Sequence, residues 1–190
     1  MGKPSTELSR PMGKLISLGF IERDIPFGES SRSTKRSIYK IADPFMNFFY
    51  HYVIPNRSLI ALGRTEMVCR AFVGARWETL CRHAVSGNVI DGTAWNVAGR
   101  WWGSVSRDKS VELDVVAESQ DKKKVLVGEC KWTEGEYADR LFADLKERAS
   151  QCPFIKGRDV VYVLFLKRPA LDGVIRNVFL PQDIINDKFE

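Results

Sequence analysis

Histidine is almost absent from this 190-residue sequence. His51 and His83 stand far apart, which excludes a His-rich metal centre and argues against imidazole catalysis. Cys69, Cys81, Cys130 and Cys152 include no pair at the close spacing of structural zinc sites, so free thiols in a reducing cytosol are expected. No Gly-rich loop ends in Lys and Ser or Thr, and this chain alone is not expected to hydrolyse nucleotides. No apolar run approaches the ~18 residues of a membrane helix, and the first residues are polar and charged throughout. A soluble, cytoplasmic protein is therefore expected. Internal repeats and low-complexity tracts are also missing.

What is present is ordinary in proportion: 44% hydrophobic and 28% charged residues, enough to form a core. The length suits one ordinary domain plus a smaller one. Charge is unevenly placed. Residues 1–60 carry nine Lys and Arg against five Asp and Glu, whereas residues 61–190 carry twenty against nineteen. A basic amino-terminal piece next to a nearly neutral remainder suggests contact of the former with a polyanion, and a boundary near residue 60.

In "STELSRPMGKLISLG" (residues 5–19), Leu8, Met12, Leu15 and Ile16 recur at helical spacing and Gly19 is a stop signal. Pro11 favours regular turns beginning at Ser9 or Arg10. A strand, a basic loop holding Arg32, Lys35 and Arg36, and a returning strand "SIYKIADP" follow. Helix and hairpin together match the second half of a winged helix, with those three cations as candidate DNA contacts; a solvated turn is the alternative. Residues 44–62 read as packing helices interrupted by Pro55, with Phe45, Phe48, Phe49 and Tyr52 as core and a cofactor-binding aromatic box as the alternative; exposure of residues 45–52 would instead favour a protein-binding face. A helix from Thr65 to about Ala84 carries Val68, Phe72, Leu80 and Val85, and includes Glu78. Strands are then expected at about 95–102, 111–118 and 124–132, a charged helix at 136–150 and an apolar strand at 159–166.

The chemistry lies in "VELDVVAES" and "KKKVLVGECKW". Alternation puts Glu129 and Lys131 on one face of their strand and Cys130, a core residue, on the other. Glu112 and Asp114 share a face of the neighbouring strand in the same way. Charged groups emerging from apolar runs are costly unless solvated, paired or functional. Asp114 and Glu129, meeting at adjacent strand centres, repel unless a cation lies between them, and Mg²⁺ or Mn²⁺ held by carboxylates, water and a phosphodiester fits that need. Lys131 then orients water or offsets charge on the attacked phosphate. Trp101, Trp102 and Trp132 fall near these residues and suit base stacking, although core packing is the simpler role. Lys122, Lys123 and Lys124 read as a solvated hairpin tip.

An acid in one strand, a short hairpin, then acid, any residue and Lys in the next resembles the PD-(D/E)XK nuclease superfamily, with Asp114, Glu129 and Lys131 at the signature positions and Glu78 where a preceding helix often supplies another acid. "GRWWG", "ELDVVA", "GECKW" and "IYKIADPFMNFFYHYVIPNRS" further resemble the carboxy-terminal region of archaeal and bacterial P-loop ATPases, known as DUF234. The resemblance implies an α/β (α+β) fold: a restriction-endonuclease-like mixed sheet flanked by helices over residues 64–190, preceded by a partial winged helix at 1–43 and a helical linker at 44–63. It also implies an ATPase domain upstream, so that this sequence is expected to be a truncated chain or the product of a split gene. Three functions remain open: a Mg²⁺-dependent nuclease module, a non-catalytic DNA-binding regulatory module of an ATPase, and a protein-interaction module.

Overall fold

A computed structural model of the chain describes residues 5–30, 32 and 35–186. The chain forms two compact units, Met1–Ile25 with Glu29–Phe72, and Pro26–Gly28 with Val73–Glu190.

The first unit opens with α1 (Ser5–Ser17), which runs through Pro11 instead of starting near it. Proline removes one backbone donor from a helix, and the surrounding turns retain theirs, so the helix extends earlier than Pro11 suggested. Gly19 ends it in the left-handed conformation (φ +74°) that its missing Cβ permits. The Phe20 N–H reaches Leu15 O at 3.0 Å and Gly19 N–H reaches Ile16 O at 2.9 Å, satisfying two terminal carbonyls. Strands β1 (Ile21–Asp24) and β2 (Ile38–Ile41) then pair antiparallel. Of the loop between them, Ser31, Ser33 and Thr34 lie outside the described residues; Arg32 and Lys35 are exposed, while Arg36 forms a salt bridge with Glu29.

Asp43 caps α2 (Pro44–Phe48), its carboxylate accepting the Met46 N–H at 2.7 Å. A π-helical turn over Phe49–Val53 and α3 (Arg57–Ala61) follow. The expected aromatic core is only half realised. Phe48 and Tyr52 pack on Phe72, with ring centroids 4.9 and 5.5 Å away. Phe45, however, is 72% exposed and Tyr50 is 51% exposed; Phe45 aligns with Phe49, their ring centroids 6.3 Å apart, without a core to enter.

Helix α4 (Thr65–Val85) leads into the second unit. There, β3 (Val89–Ile90) and β4 (Thr93–Ala94) form a small antiparallel ribbon, followed by β5 (Gly99–Ser104), β6 (Ser110–Glu118), β7 (Lys124–Lys131), α5 (Ala138–Ser150), β8 (Asp159–Leu166), β9 (Val178–Phe179) and α6 (Pro181–Ile185). The main sheet has the order β5-β6-β7-β8-β9, antiparallel as far as β7 and parallel from β7 to β9. A parallel neighbour needs a crossover, and α5 provides the one between β7 and β8. The two faces hold separate cores. On one, Trp77, Cys81 and Val85 of α4 meet Val115, Leu126, Val163 and Phe165. On the other, Ala138, Leu145 and Ala149 of α5 meet Leu113, Val116, Val127 and Leu164. The protein is thus an α/β (α+β) fold with a mixed sheet flanked by helices.

β5 starts later than the expected 95–102, and Leu80, expected among the apolar positions of its helix, is 45% exposed. The three tryptophans do not cluster: Trp101 lies in the α5-side core against Phe154, whereas Trp132 packs on Trp77 at the α4 side. Trp101 belongs to β5 and Trp132 follows the end of β7, and these two face opposite layers, while the Trp102 ring lies under the Arg100 guanidinium at 4.5 Å.

Gly128 sits where no side chain fits. A Cβ there would lie 3.0 Å from Phe165 Cε2, 3.0 Å from Val163 Cγ2 and 3.1 Å from Val115 Cβ. Gly128→Ala is expected to destabilise the protein by about 2 kcal/mol, as overpacking of a tight core does. Urea denaturation checks this, and an unchanged midpoint refutes it.

Candidate functional site

The expected residues fall at the place where β6 and β7 part. Their antiparallel pairing runs from Glu118 opposite Val125 to Val115 opposite Gly128. On the other side of β6, Gly99 is opposite Val116 and Trp101 is opposite Leu113, so three steps on β6 match two on β5. The extra residue is a β-bulge at Asp114–Val115. Its effect is visible in the cores: Leu113 faces α5, yet Val115, two residues on, faces α4. Simple alternation from Glu112 therefore fails at Asp114. Glu112 stays exposed and bonds Arg100 at 3.0 Å.

The bulge turns the Asp114 carboxylate toward β7, where Oδ2 accepts the Cys130 N–H at 2.9 Å. The Asp114 carbonyl accepts Arg82 Nη1 of α4 at 2.9 Å. Asp114 is a far weaker acid than an ordinary aspartate, its pKa raised to about 7. Burial is the largest cause, the Glu129 charge the next, with Glu78 adding to them; the Cys130 amide and Lys131 oppose the rise.

Glu129 is buried, with 5% exposure, and holds a cation on each oxygen: Lys131 Nζ at 2.7 Å on Oε1 and Arg148 Nη2 at 2.6 Å on Oε2. Arg148 Nη1 also donates to Glu112 O at 2.8 Å, so one guanidinium ties α5 to both strands. Burial works against the Lys131 ammonium, but its hydrogen bond to Glu129 and the charges of Glu129 and Asp114 outweigh it and raise the pKa. Glu78 is half-buried on α4, 3.9 Å from Arg82. Cys130 points to the other face, as expected, where burial and then Cys81 push its thiol up and keep it unreactive.

A cleft of about 640 Å³ opens beside this group, lined by Glu129, Lys131, Tyr137, Arg140, Asp144 and Arg148 among others. Among the described residues no group of three or more His, Cys, Asp and Glu side chains is placed to hold a metal ion. Hard oxygen donors from two carboxylates nevertheless suit Mg²⁺, which takes its other positions from water and phosphate. An ion held by Glu129 would take the place of one of its two ion pairs, to Lys131 or Arg148.

Sequence reading missed Arg148. It lies beside the inward stripe Ala138, Leu145, Ala149 and Cys152, and a charge within such a stripe was the available signal.

A family model described as archaeal and bacterial proteins of unknown function, DUF234, matches residues 49–147. The chain belongs to the DUF234 family. It is 27% identical over 159 residues to an uncharacterized protein of Methanocaldococcus jannaschii, covering 78% of this chain and 35% of that relative. The DUF234 chain thus spans 35% of the length of the curated relative it matches. Among solved structures, protein VC1899 from Vibrio cholerae aligns over 98% of this chain and 42% of its own, with 16% identity and a TM-score of 0.35. The DUF234 match begins within the aromatic segment and includes Glu78, Asp114, Glu129 and Lys131. No helix among the described residues is long and apolar enough to cross a membrane.

Proposed function

We propose that the second unit is a Mg²⁺-dependent, PD-(D/E)XK-type module for phosphodiester hydrolysis in DNA, working within a longer P-loop ATPase. Asp114 and Glu129 are the metal ligands, Lys131 positions the attacking water or the phosphate, and Glu78 supports the site. The observation that carries this reading is the bulge, which brings the Asp114 carboxylate onto the amide between Glu129 and Lys131. A bound divalent ion lowers the pKa of a coordinated water and neutralises charge on the phosphate. The protein's own part is positional: Arg148 fixes Glu129, and Arg82 fixes the backbone of Asp114.

Calorimetric titration of the chain with Mg²⁺ and Mn²⁺, with DNA cleavage assayed in the same buffers, tests this. The wild type is expected to bind one ion and cleave, and Asp114→Ala with Glu129→Ala to do neither. Absence of metal binding even with DNA present sinks the reading; metal-independent DNA binding sensitive to Arg32→Ala and Lys35→Ala puts a non-catalytic DNA-binding module in its place.

A second reading, a protein-interaction role for the first unit, is favoured by its exposed apolar side chains, Phe45 and Leu62 at 72% and Met67 at 65%. Salt-insensitive self-association or partner binding that is lost in Phe45→Ser supports it.

A further inference from the structure

On the α4 face of the sheet, beyond the end of β7, a pocket of about 340 Å³ is lined by two indoles, Trp77 and Trp132, by Leu80 and Ile185, and by Arg76 and His83. Its size is at the small-ligand end of the range for binding sites. The indoles stand 5.0 Å apart with their planes at 51°. Trp77 is anchored, its Nε1 donating to Phe165 O at 3.1 Å. Trp132 is only half-buried and follows Lys131 directly in the chain, on the α4 face, whereas Glu129 and Lys131 line the cleft on the α5 face. Lys167, the residue after β8, places Nζ 5.9 Å from the Trp132 ring.

Two chemical features select the occupant. Apolar walls with aromatic rings call for a flat aromatic body, since stacking on Trp is favourable for any base. Arg76 is the cation of the lining, His83 adds a ring nitrogen, and no acidic side chain is among the lining, so the ligand carries negative charge. Residues 76, 80 and 83 follow helical spacing on α4 and present one face to the pocket. The volume is too small for an amphipathic helix but suits one nucleotide.

We infer that this pocket is a nucleobase subsite, in which an unpaired base of a single-stranded nucleic acid stacks on Trp132 with its phosphate toward Arg76 and His83. The inference rests on the nuclease reading for its substrate class. It assigns that substrate a single-stranded segment, because a paired base keeps its faces inside the duplex stack.

The test is binding without catalysis: fluorescence anisotropy of a labelled oligo-dT in EDTA, with the full chain as wild type, Trp132→Leu, Trp132→Phe and Arg76→Ala. Trp132→Leu is expected to weaken binding about tenfold or more, in keeping with loss of one stacked base, while Trp132→Phe stays within about threefold because it keeps a ring. Arg76→Ala weakens binding and flattens its salt dependence. A blunt duplex of the same length competes poorly. Equal competition by the duplex, or Trp132→Leu binding within about twofold of wild type, overturns the subsite. The two readings fail separately: absence of metal binding and cleavage with Trp132-dependent oligonucleotide binding intact removes only the catalytic one, and cleavage indifferent to Trp132 removes only the subsite.

Discussion

In the absence of divalent metal, the stability difference between Asp114→Asn and the wild type is expected to grow as pH rises from about 4 to about 7, reaching as much as about 4 kcal/mol above pH 7. Asp114 has a pKa of about 7 in the fold against 3.8 for an ordinary aspartate. Between these values the folded state binds a proton that the unfolded state has released. Stability from this group is therefore fully present below the unfolded pKa, and is lost as pH rises through the folded one. Above it, the wild type buries a carboxylate beside Glu129. Asparagine keeps an oxygen for the Cys130 N–H and does not ionise, so its curve lacks this slope. Urea denaturation from pH 4 to pH 8, plotted as the difference between the two proteins, isolates the group from every other titration. A flat difference, or one of opposite slope, refutes the assignment. On the proposed function, saturating Mg²⁺ at pH 8 shrinks the difference by replacing the proton with the ion.

Arg148→Met is expected to cost about 3 kcal/mol and lower the melting temperature by roughly 10 °C, because it leaves a buried carboxylate short of a partner. Glu129 is 5% exposed and its second partner, Lys131, is more exposed than Glu129 itself, so Lys131 alone is a weak compensation. Part of the loss comes from Glu112 O, which forfeits its bond to the same guanidinium. Adding Glu129→Gln to Arg148→Met removes the stranded charge, and at least half of the stability is expected to return. Arg148→Lys recovers less than the double change, since an ammonium lacks the fork that spans both acceptors. Thermal melts of the four proteins decide it; a double variant no more stable than Arg148→Met argues against a stranded charge as the cause.

The elements around the site were legible because their patterns are local. The runs that form β6, β7 and β8 are short, apolar and bounded by turns, and α5 shows its amphipathic stripe. The alternation that put Glu129 and Lys131 opposite Cys130 needs only unbroken pleating in β7, which the structure has. The bulge was not legible, since an extra residue shows only against the strand it fails to match. Arg148 was hidden for a related reason: it meets Glu129 across 19 residues, and its place beside the apolar stripe of α5 names no partner for it. β9 and α6 are too short, at 2 and 5 residues, to produce a readable period. Phe45 misled because a helical stripe says which side chains align, and nothing about whether a partner covers them.

Because the β6 ladder contains one residue more than its neighbour, deletion of a single codon between Leu113 and Val116 would remove the bulge and leave a strand whose register with β5 is uninterrupted. Such a chain keeps its hydrogen-bonded sheet while losing the carboxylate or its aim. On the proposed function, a lineage can therefore shed the hydrolytic chemistry in one step and retain the scaffold, and relatives in which β6 is one residue shorter are expected to bind no metal and cleave nothing.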